Sequence, residues 1–165
     1  MAIKEQILTL APTAVATWFI NRIDRAAGEA ITHLKVQKLV YYADAWFLAN
    51  YDRSLISDDF EAWAHGPVVR SVYEKYRDCG YIALEPEKPR AIHAEVLPVL
   101  EAVHREYGQF SAKRLEGLTH HEDPWKLTRG DLAPEAKCTR SIDKLLMRNF
   151  YAAKIGKKEI KTLQN

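Results

Sequence analysis

The chain has 165 residues, of which 47% are hydrophobic and 28% are charged, and its formal net charge is +2 at pH 7. This length and composition predict one globular domain that buries its own core, and no apolar run approaches the roughly 20 residues of a membrane helix. So small a positive charge argues against a nucleic-acid partner.

The two cysteines, Cys79 and Cys138, are far apart in the sequence and belong to no Cys-x-x-Cys pair. This spacing argues against a disulfide framework or a structural zinc site and favours a reducing compartment. Residues 1–10 lack the apolar core and the small-residue cleavage site of a secretory signal. We therefore expect a cytoplasmic protein.

Two helices are predicted in the first third of the chain. Pro12 suits the first position of a helix whose apolar face continues to Gly28, and Thr32 can cap a second helix that runs to Tyr51. The second helix carries two opposite apolar arcs, so it needs neighbours on both sides. We interpret it as the central helix of the fold, with Asp44 on a polar seam near the surface.

A small β-hairpin is predicted next. Phe60 to Ala64 alternate between apolar and polar residues, which is typical of a strand with one buried face. Gly66-Pro67 is predicted to end this strand and to begin a third helix that continues to Gly80, because proline is well tolerated at the first helical position.

The remainder of the pattern predicts a loop and further helices. Pro86 and Pro89 favour a surface loop over residues 81–92. Helices are then predicted from about Ala94 to Tyr107, from Ala112 to Thr119 behind a Ser111 cap, from Pro124 to Arg129 behind an Asp123 cap, and from Ser141 to about Lys154. The predicted fold is mainly α (α+β), a compact bundle of about six or seven helices around the central helix, in a single domain over 1–155 with a polar tail over 156–165.

The densest polar cluster is Thr119 to Asp123, which contains His120, His121 and Glu122. Adjacent histidines point in different directions on a helix or strand, and no His-Glu-x-x-His spacing is present, so we expect neither a metal nor a cofactor. The sequence also lacks a Gly-x-Ser-x-Gly elbow and a glycine-rich phosphate loop. A small hydrolase or transferase using this His/Glu acid-base cluster remains the alternative function.

The corner between the predicted strand and the third helix holds Trp63, His65, Gly66 and Pro67. Free backbone N–H groups after Pro67 can receive an acidic group from a partner. A simple turn with Trp63 filling the gap beneath it explains the same residues, and both interpretations stay open at this point.

Three ordered motifs resemble the Panacea, or SocA-like, domain. They are Leu-Lys-Val-Gln-Lys-Leu-Val-Tyr-Tyr-Ala from Leu34, Phe-Glu-Ala-Trp-Ala-His-Gly-Pro-Val from Phe60, and Leu-Thr-His-His-Glu-Asp-Pro-Trp from Leu118. The resemblance implies a type II antitoxin, a non-enzymatic protein that binds a cognate protein toxin and is often encoded in a prophage beside the toxin gene. It also implies that most residues at the matching positions maintain the fold.

The resemblance and the exposed corner together give a predicted set of partner-binding residues. We expect a surface around the corner and the central helix, made of Lys38, Tyr41, Asp44, Trp63, His65, His120 and Trp125. Substitution of Asp44 is then expected to leave the domain folded while preventing neutralisation. The short ends are expected to leave no separate DNA-binding module. A third hypothesis is nucleic-acid binding by the basic tail, Lys154 to Lys161, which predicts affinity that falls steeply with salt.

Overall fold

The computed structural model describes residues 9–155. Within them the chain forms seven α-helices and a two-stranded antiparallel sheet, in the order α1 (Pro12–Arg22), α2 (His33–Tyr51), β1 (Glu61–Trp63), β2 (Gly66–Val68), α3 (Arg70–Tyr76), α4 (Leu97–Tyr107), α5 (Ala112–His121), α6 (Asp123–Arg129) and α7 (Lys144–Ile155). The predicted mainly α fold with a small hairpin is confirmed. The predicted polar tail, 156–165, lies outside the described residues.

Helix α2 is the centre of the fold, as predicted. The Thr32 hydroxyl accepts a hydrogen bond from the Lys35 N–H at its start, and Asp52 ends it in a left-handed conformation with a φ of 56°. From Val36 to Asn50 every residue is buried, because helices on both sides pack against this helix. The two apolar arcs seen in the sequence therefore have the partners that they require.

Helix α1 begins at Pro12 as predicted but ends at Arg22, six residues before Gly28. The reason is local, since the Asp24 carboxylate accepts a hydrogen bond from the Ala27 N–H at 3.0 Å. Such a side-chain turn competes with helix continuation.

The hairpin corrects the prediction for Gly66-Pro67, which form the second strand and do not begin a helix. Strands β1 and β2 pair Trp63 with Gly66 and Ala62 with Pro67, and α3 begins only at Arg70. In the Ala62–Pro67 pair the backbone groups of each residue point away from the other strand. Proline fits here because the missing N–H would not have taken part in a hydrogen bond between β1 and β2.

A third extended segment lies along the other side of β1. The Ala62 N–H donates to the Arg140 carbonyl at 2.9 Å, the Ile142 N–H donates to the Phe60 carbonyl at 2.7 Å, and Ser141 lies opposite Glu61. The sequence pattern did not predict this pairing. It places residues 135–141 beside the corner that the hairpin forms.

The late helices follow the prediction with altered starts. Helix α4 begins at Leu97 and α5 extends to His121 behind its Ser111 cap. Helix α7 begins at Lys144, three residues after Ser141, because the Asp143 carboxylate accepts hydrogen bonds from the two N–H groups of its first turn. None of the helices in the described part of the chain is long and apolar enough to cross a membrane.

The capping role predicted for Asp123 is wrong. Glu122 occupies the N-cap position of α6, and neither side chain makes a capping hydrogen bond. The Glu122 carboxylate instead turns into the core, where it accepts hydrogen bonds from two tyrosines. Pro124 does lie in the first turn of the helix, and Gly130 ends it with a φ of 61°, both as predicted.

Candidate functional site

Three distant segments of the chain meet beneath the hairpin corner. Lys38 from α2, Gly66 from β2 and Thr119 from α5 lie so close that a Cβ atom on Gly66 would stand 2.5 Å from the Lys38 Cε and 2.9 Å from the Thr119 Oγ1. Gly66 also has a φ of +104°, which side chains rarely allow. The corner is therefore built around a glycine for both backbone and packing reasons.

Two side chains of α2 bind the backbone of β2 and of Val69, the residue that follows it. The Gln37 amide donates to the Val69 carbonyl and accepts from the Val69 N–H, both at 3.2 Å, and the Lys38 Nζ donates to the Pro67 carbonyl at 3.3 Å. In this way the central helix supplies the hydrogen bonds that a further strand would otherwise make.

Lys38 is entirely buried at this position. Burial lowers the pKa of its ammonium group from 10.5 to about 7, and the nearby Glu116 carboxylate acts in the opposite direction. The expectation that Lys38 borders an exposed surface is wrong, because its stem and charge lie under the corner and contact no solvent.

Helix α6 holds the corner from the other side. The Trp125 Nε1 donates to the Trp63 carbonyl at 2.8 Å, and the Arg129 Nη1 donates to the Ala62 carbonyl at 2.9 Å. The His120 ring stacks on Trp125 with the centroids 4.0 Å apart, and burial lowers the pKa of His120. Trp125 is buried and His120 is half-buried, so these two predicted residues lie behind the corner and support it.

The corner itself exposes His65 and part of Trp63. The side chain of His65 is 77% exposed, and its Nδ1 lies 3.4 Å from the Glu116 carboxylate. The Trp63 Nε1 donates to Glu61 at 2.9 Å, and Arg70 binds both oxygens of the same carboxylate at 2.6 and 3.0 Å. The indole is therefore fixed in one orientation at the surface, as a binding anchor needs to be.

A groove of about 370 Å³ lies beside the corner. It runs between the hairpin and the segment that precedes α7, and it is lined by Trp63, Ala64, His65, Val68, Arg70, Glu135, Lys137, Cys138 and Thr139. Its size is within the range of small ligand and side-chain pockets. Neither the groove nor the role of residues 135–139 was predicted, because no local pattern links that segment to the hairpin.

Asp44 lies in the interior and not on a surface seam, which corrects the sequence-based expectation. Its Oδ1 accepts hydrogen bonds from the N–H groups of Leu55 at 2.8 Å and Ile56 at 3.2 Å, and its Oδ2 pairs with the Lys144 ammonium group. Burial raises the pKa of Asp44, while Lys144 and the backbone donors oppose that rise. Its role in the structure is to fix the turn that follows α2.

Tyr41 is also fully buried, so the expectation that it is exposed is wrong as well. Its hydroxyl lies 3.1 Å from the Tyr151 hydroxyl, and the Glu122 Oε1 accepts from Tyr42 at 2.6 Å and from Tyr151 at 3.0 Å. The other Glu122 oxygen pairs with Lys154. This cluster of tyrosines and a carboxylate joins α2 to α7 within the core. None of its residues lines the groove.

The side chains of the possible His/Glu acid-base cluster are directed to different surroundings. His120 stacks on Trp125, the His121 Nδ1 lies 2.7 Å from the Gly117 carbonyl, and Glu122 belongs to the tyrosine cluster. They do not form one site. Among the described residues there is also no group of three or more His, Cys, Asp or Glu side chains able to hold a metal ion.

Glu116 and Arg129 are structural members of the corner that the sequence did not single out. Glu116 lies between Lys38 and His65, and Arg129 additionally binds the carbonyls of Ala133, Pro134 and Ala136. The only signal available for them in the sequence is their position beside the third motif, Glu116 just before it and Arg129 just after it. A buried arginine that organises a loop has no local pattern of its own.

These features define a small helical domain with a rigid, partly aromatic corner. The model of the family described as "Antitoxin SocA-like, Panacea domain" matches residues 36–126, and the chain belongs to this family. A curated relative, Antitoxin SocA of Caulobacter vibrioides (strain NA1000 / CB15N), is 28% identical over 155 residues, with 81% of this chain and 80% of the relative covered. No solved structure matches the chain. The family membership supports an antitoxin function, and the matched region contains Lys38, the hairpin and Trp125.

Proposed function

We propose that this protein is a type II antitoxin that neutralises a cognate protein toxin by binding it directly through the hairpin corner. The observation that supports this most is the contrast at the corner, where Trp63 and His65 reach the surface from a buried scaffold formed by Lys38, Thr119 and Trp125. A binding anchor is most effective when its orientation is fixed before the partner arrives.

The chemistry of the corner fits protein recognition. Tryptophan is among the residues that contribute most to binding when they are placed at the centre of an interface. The Trp63 ring is held by its bond to Glu61, by edge-on contact with Tyr73 at 4.8 Å and by the Arg70 guanidinium 5.6 Å from its centroid. We expect an interface of roughly 1,600 Å² in total, with the corner near its middle.

The seven predicted partner-binding residues divide into two groups in this proposal. Trp63 and His65 contact the toxin, with half-buried His120 at the edge of the contact. The buried members act by holding the corner or the core, and they are Lys38, Tyr41, Asp44 and Trp125. We propose residues 1–155 as the functional domain, acting without enzymatic chemistry in the cytoplasm.

Co-expression tests the proposal. The product of the reading frame adjacent to this gene is expressed alone, with the wild-type protein, and with Trp63→Ala or His65→Ala. We expect growth arrest alone, rescue and co-purification with the wild type, and loss of both with Trp63→Ala. Tyr81→Ala is the matched control, because Tyr81 is an aromatic residue that is 96% exposed and lies outside the groove lining.

Three results would overturn the proposal. They are a neighbouring product that is harmless alone, rescue without any complex, and a Trp63→Ala variant that melts normally and still rescues growth. A Tyr81→Ala variant as defective as Trp63→Ala would place the contact on another surface.

A further inference from the structure

We infer that the open edge of the segment 139–141 and the adjoining groove receive an extended, uncharged segment of the partner protein, which adds as a strand beside Ser141 and places a large apolar side chain in the groove that Trp63 and Thr139 line. This inference rests on the proposed function, since it states how the partner is bound at the corner. Three observations carry it: the direction of backbone groups, the shape of the groove and the balance of its charges.

The backbone of Ser141 is available for pairing. On β1 the bonds from Ala62 to Arg140 and from Ile142 to Phe60 flank the Glu61–Ser141 pair, so in antiparallel geometry the N–H and C=O of Ser141 point away from β1. Ser141 is exposed, and its backbone makes no hydrogen bond within the described part of the chain. Unpaired strand edges of this kind are templates for another strand.

The groove adjoins that edge on the outer face of the sheet. Continuing the register from the Glu61–Ser141 pair places Thr139 opposite Trp63, and both residues line the groove. Because side chains directly opposite each other in a ladder point to the same face, the added strand would direct alternate side chains to the face of the sheet that carries Thr139 and Trp63, where the groove lies. A volume of about 370 Å³ accommodates a large aromatic or aliphatic side chain.

The charges of the rim favour an uncharged occupant. Two of its three basic side chains have a carboxylate beside them, Arg70 bound to Glu61 and His65 beside Glu116, and the third, Lys137, lines the groove together with Glu135. A site for an acidic peptide or for nucleic acid needs excess positive charge, which this rim does not have. Backbone pairing combined with an apolar pocket is instead the usual way in which a sheet edge recognises an extended peptide.

Hydrogen exchange on the unmodified protein provides the first test. The protein is measured alone and in complex with the product of the adjacent reading frame. We expect the Ser141 amide to exchange rapidly in the free protein and to become protected in the complex, while the Ala62 and Ile142 amides are protected in both, since they already donate within the sheet. An unchanged Ser141 amide in a formed complex overturns the inference and leaves the proposed function intact.

A matched pair of variants provides the second test. Ser141→Pro removes the outward N–H and keeps the pairing with β1, because proline is accepted at an edge position whose N–H faces outward. Ser141→Ala keeps that N–H. We expect about a tenfold loss of affinity for Ser141→Pro and none for Ser141→Ala. Retained protection of the Ala62 amide in Ser141→Pro shows that the sheet is intact.

Overlapping 15-residue peptides tiled across the same product then identify the segment. Binding of a peptide with a large apolar residue and little charge, lost with Trp63→Ala, supports the inference. Preference for strongly acidic peptides overturns it, as does protection of Ser141 by self-association of this protein at high concentration. If the whole product does not bind the wild-type protein at all, the proposed function fails and the inference fails with it.

Discussion

The side chain of Lys38 fills the space that a side chain at position 66 would need, since a Cβ atom on Gly66 would lie 2.5 Å from the Lys38 Cε. We predict that Gly66→Ala destabilises the domain by about 1–3 kcal/mol, because it adds both this contact and the strain of a φ of +104°. Urea denaturation measures the change in the free energy of unfolding.

Gly117→Ala is the control for this substitution. Gly117 lies within α5, where an added Cβ meets nothing within 4 Å and no positive φ is involved. Alanine at this helical position should stabilise the domain by up to about 1 kcal/mol. A Gly66→Ala variant as stable as the wild type would mean that Lys38 and the hairpin move apart at little cost in free energy. The corner would then not be a rigid scaffold.

The lowered pKa of Lys38 predicts that the stability of the domain depends on pH. Its pKa is lowered to about 7 in the folded state, so between about pH 7 and pH 10.5 the unfolded chain binds one more proton than the folded one at this site. The free energy of unfolding of the wild type should therefore rise with pH in this window relative to Lys38→Met, by up to about 1.4 kcal/mol per pH unit.

Urea denaturation of the wild type and Lys38→Met at pH 6, 7.5 and 9 measures this difference. Titrating groups that do not interact with Lys38 cancel in the comparison. His33 and His120 do interact with it, and because their pKa values are lowered below 6.5, the step from pH 7.5 to pH 9 reports on Lys38 itself. A difference that stays constant from pH 6 to pH 9 would contradict the prediction, because it would mean that Lys38 keeps its proton in the folded state throughout and that its folded-state pKa is not lowered to about 7.

The sequence identified the elements of this fold better than the surroundings of its polar residues. Helix α2 was predictable because its cap and its two apolar arcs are local, and β1 because alternation is local. Pro67 was misassigned because its place in a strand depends on α2 supplying a donor to its carbonyl. That contact spans 29 positions of the sequence and leaves no periodic pattern.

Asp44 illustrates why the sequence did not show which of the predicted residues reach the surface. On a helical projection it lies on a polar seam, yet its carboxylate pairs with Lys144, which is 100 positions away. A buried charge with a distant partner has the same local signature as an exposed one. Trp63 and His65 were predictable as a corner because they lie beside a turn, whose exposure follows from nearby residues alone.

Asp44→Asn is predicted to destabilise the domain by about 2–4 kcal/mol. The amide removes the negative charge that balances Lys144, whose side chain is only 21% exposed, and weakens the hydrogen bonds from the backbone of Leu55 and Ile56. Chemical denaturation measures the loss.

The double variant Asp44→Asn with Lys144→Met should recover part of that loss, since it removes the unpaired ammonium group. A stable Asp44→Asn variant that no longer binds the toxin would contradict this prediction. It would instead support the original expectation that Asp44 is an exposed contact.

Glu122→Gln is predicted to destabilise the domain by about 2 kcal/mol or more. The substitution removes the charge that pairs with Lys154 and that strengthens the hydrogen bonds from Tyr42 and Tyr151.

Asp123→Asn is the matched control, because the neighbouring carboxylate is exposed and makes no capping bond, and we expect it to change stability by less than about 1 kcal/mol. Thermal and urea denaturation of both variants measure the free energy of unfolding. A loss confined to Glu122→Gln identifies Glu122 as a carboxylate that stabilises the core. A Glu122→Gln protein that melts like the wild type would show that the tyrosine cluster does not depend on that charge, and it would return Glu122 to the residues that remain available for chemistry.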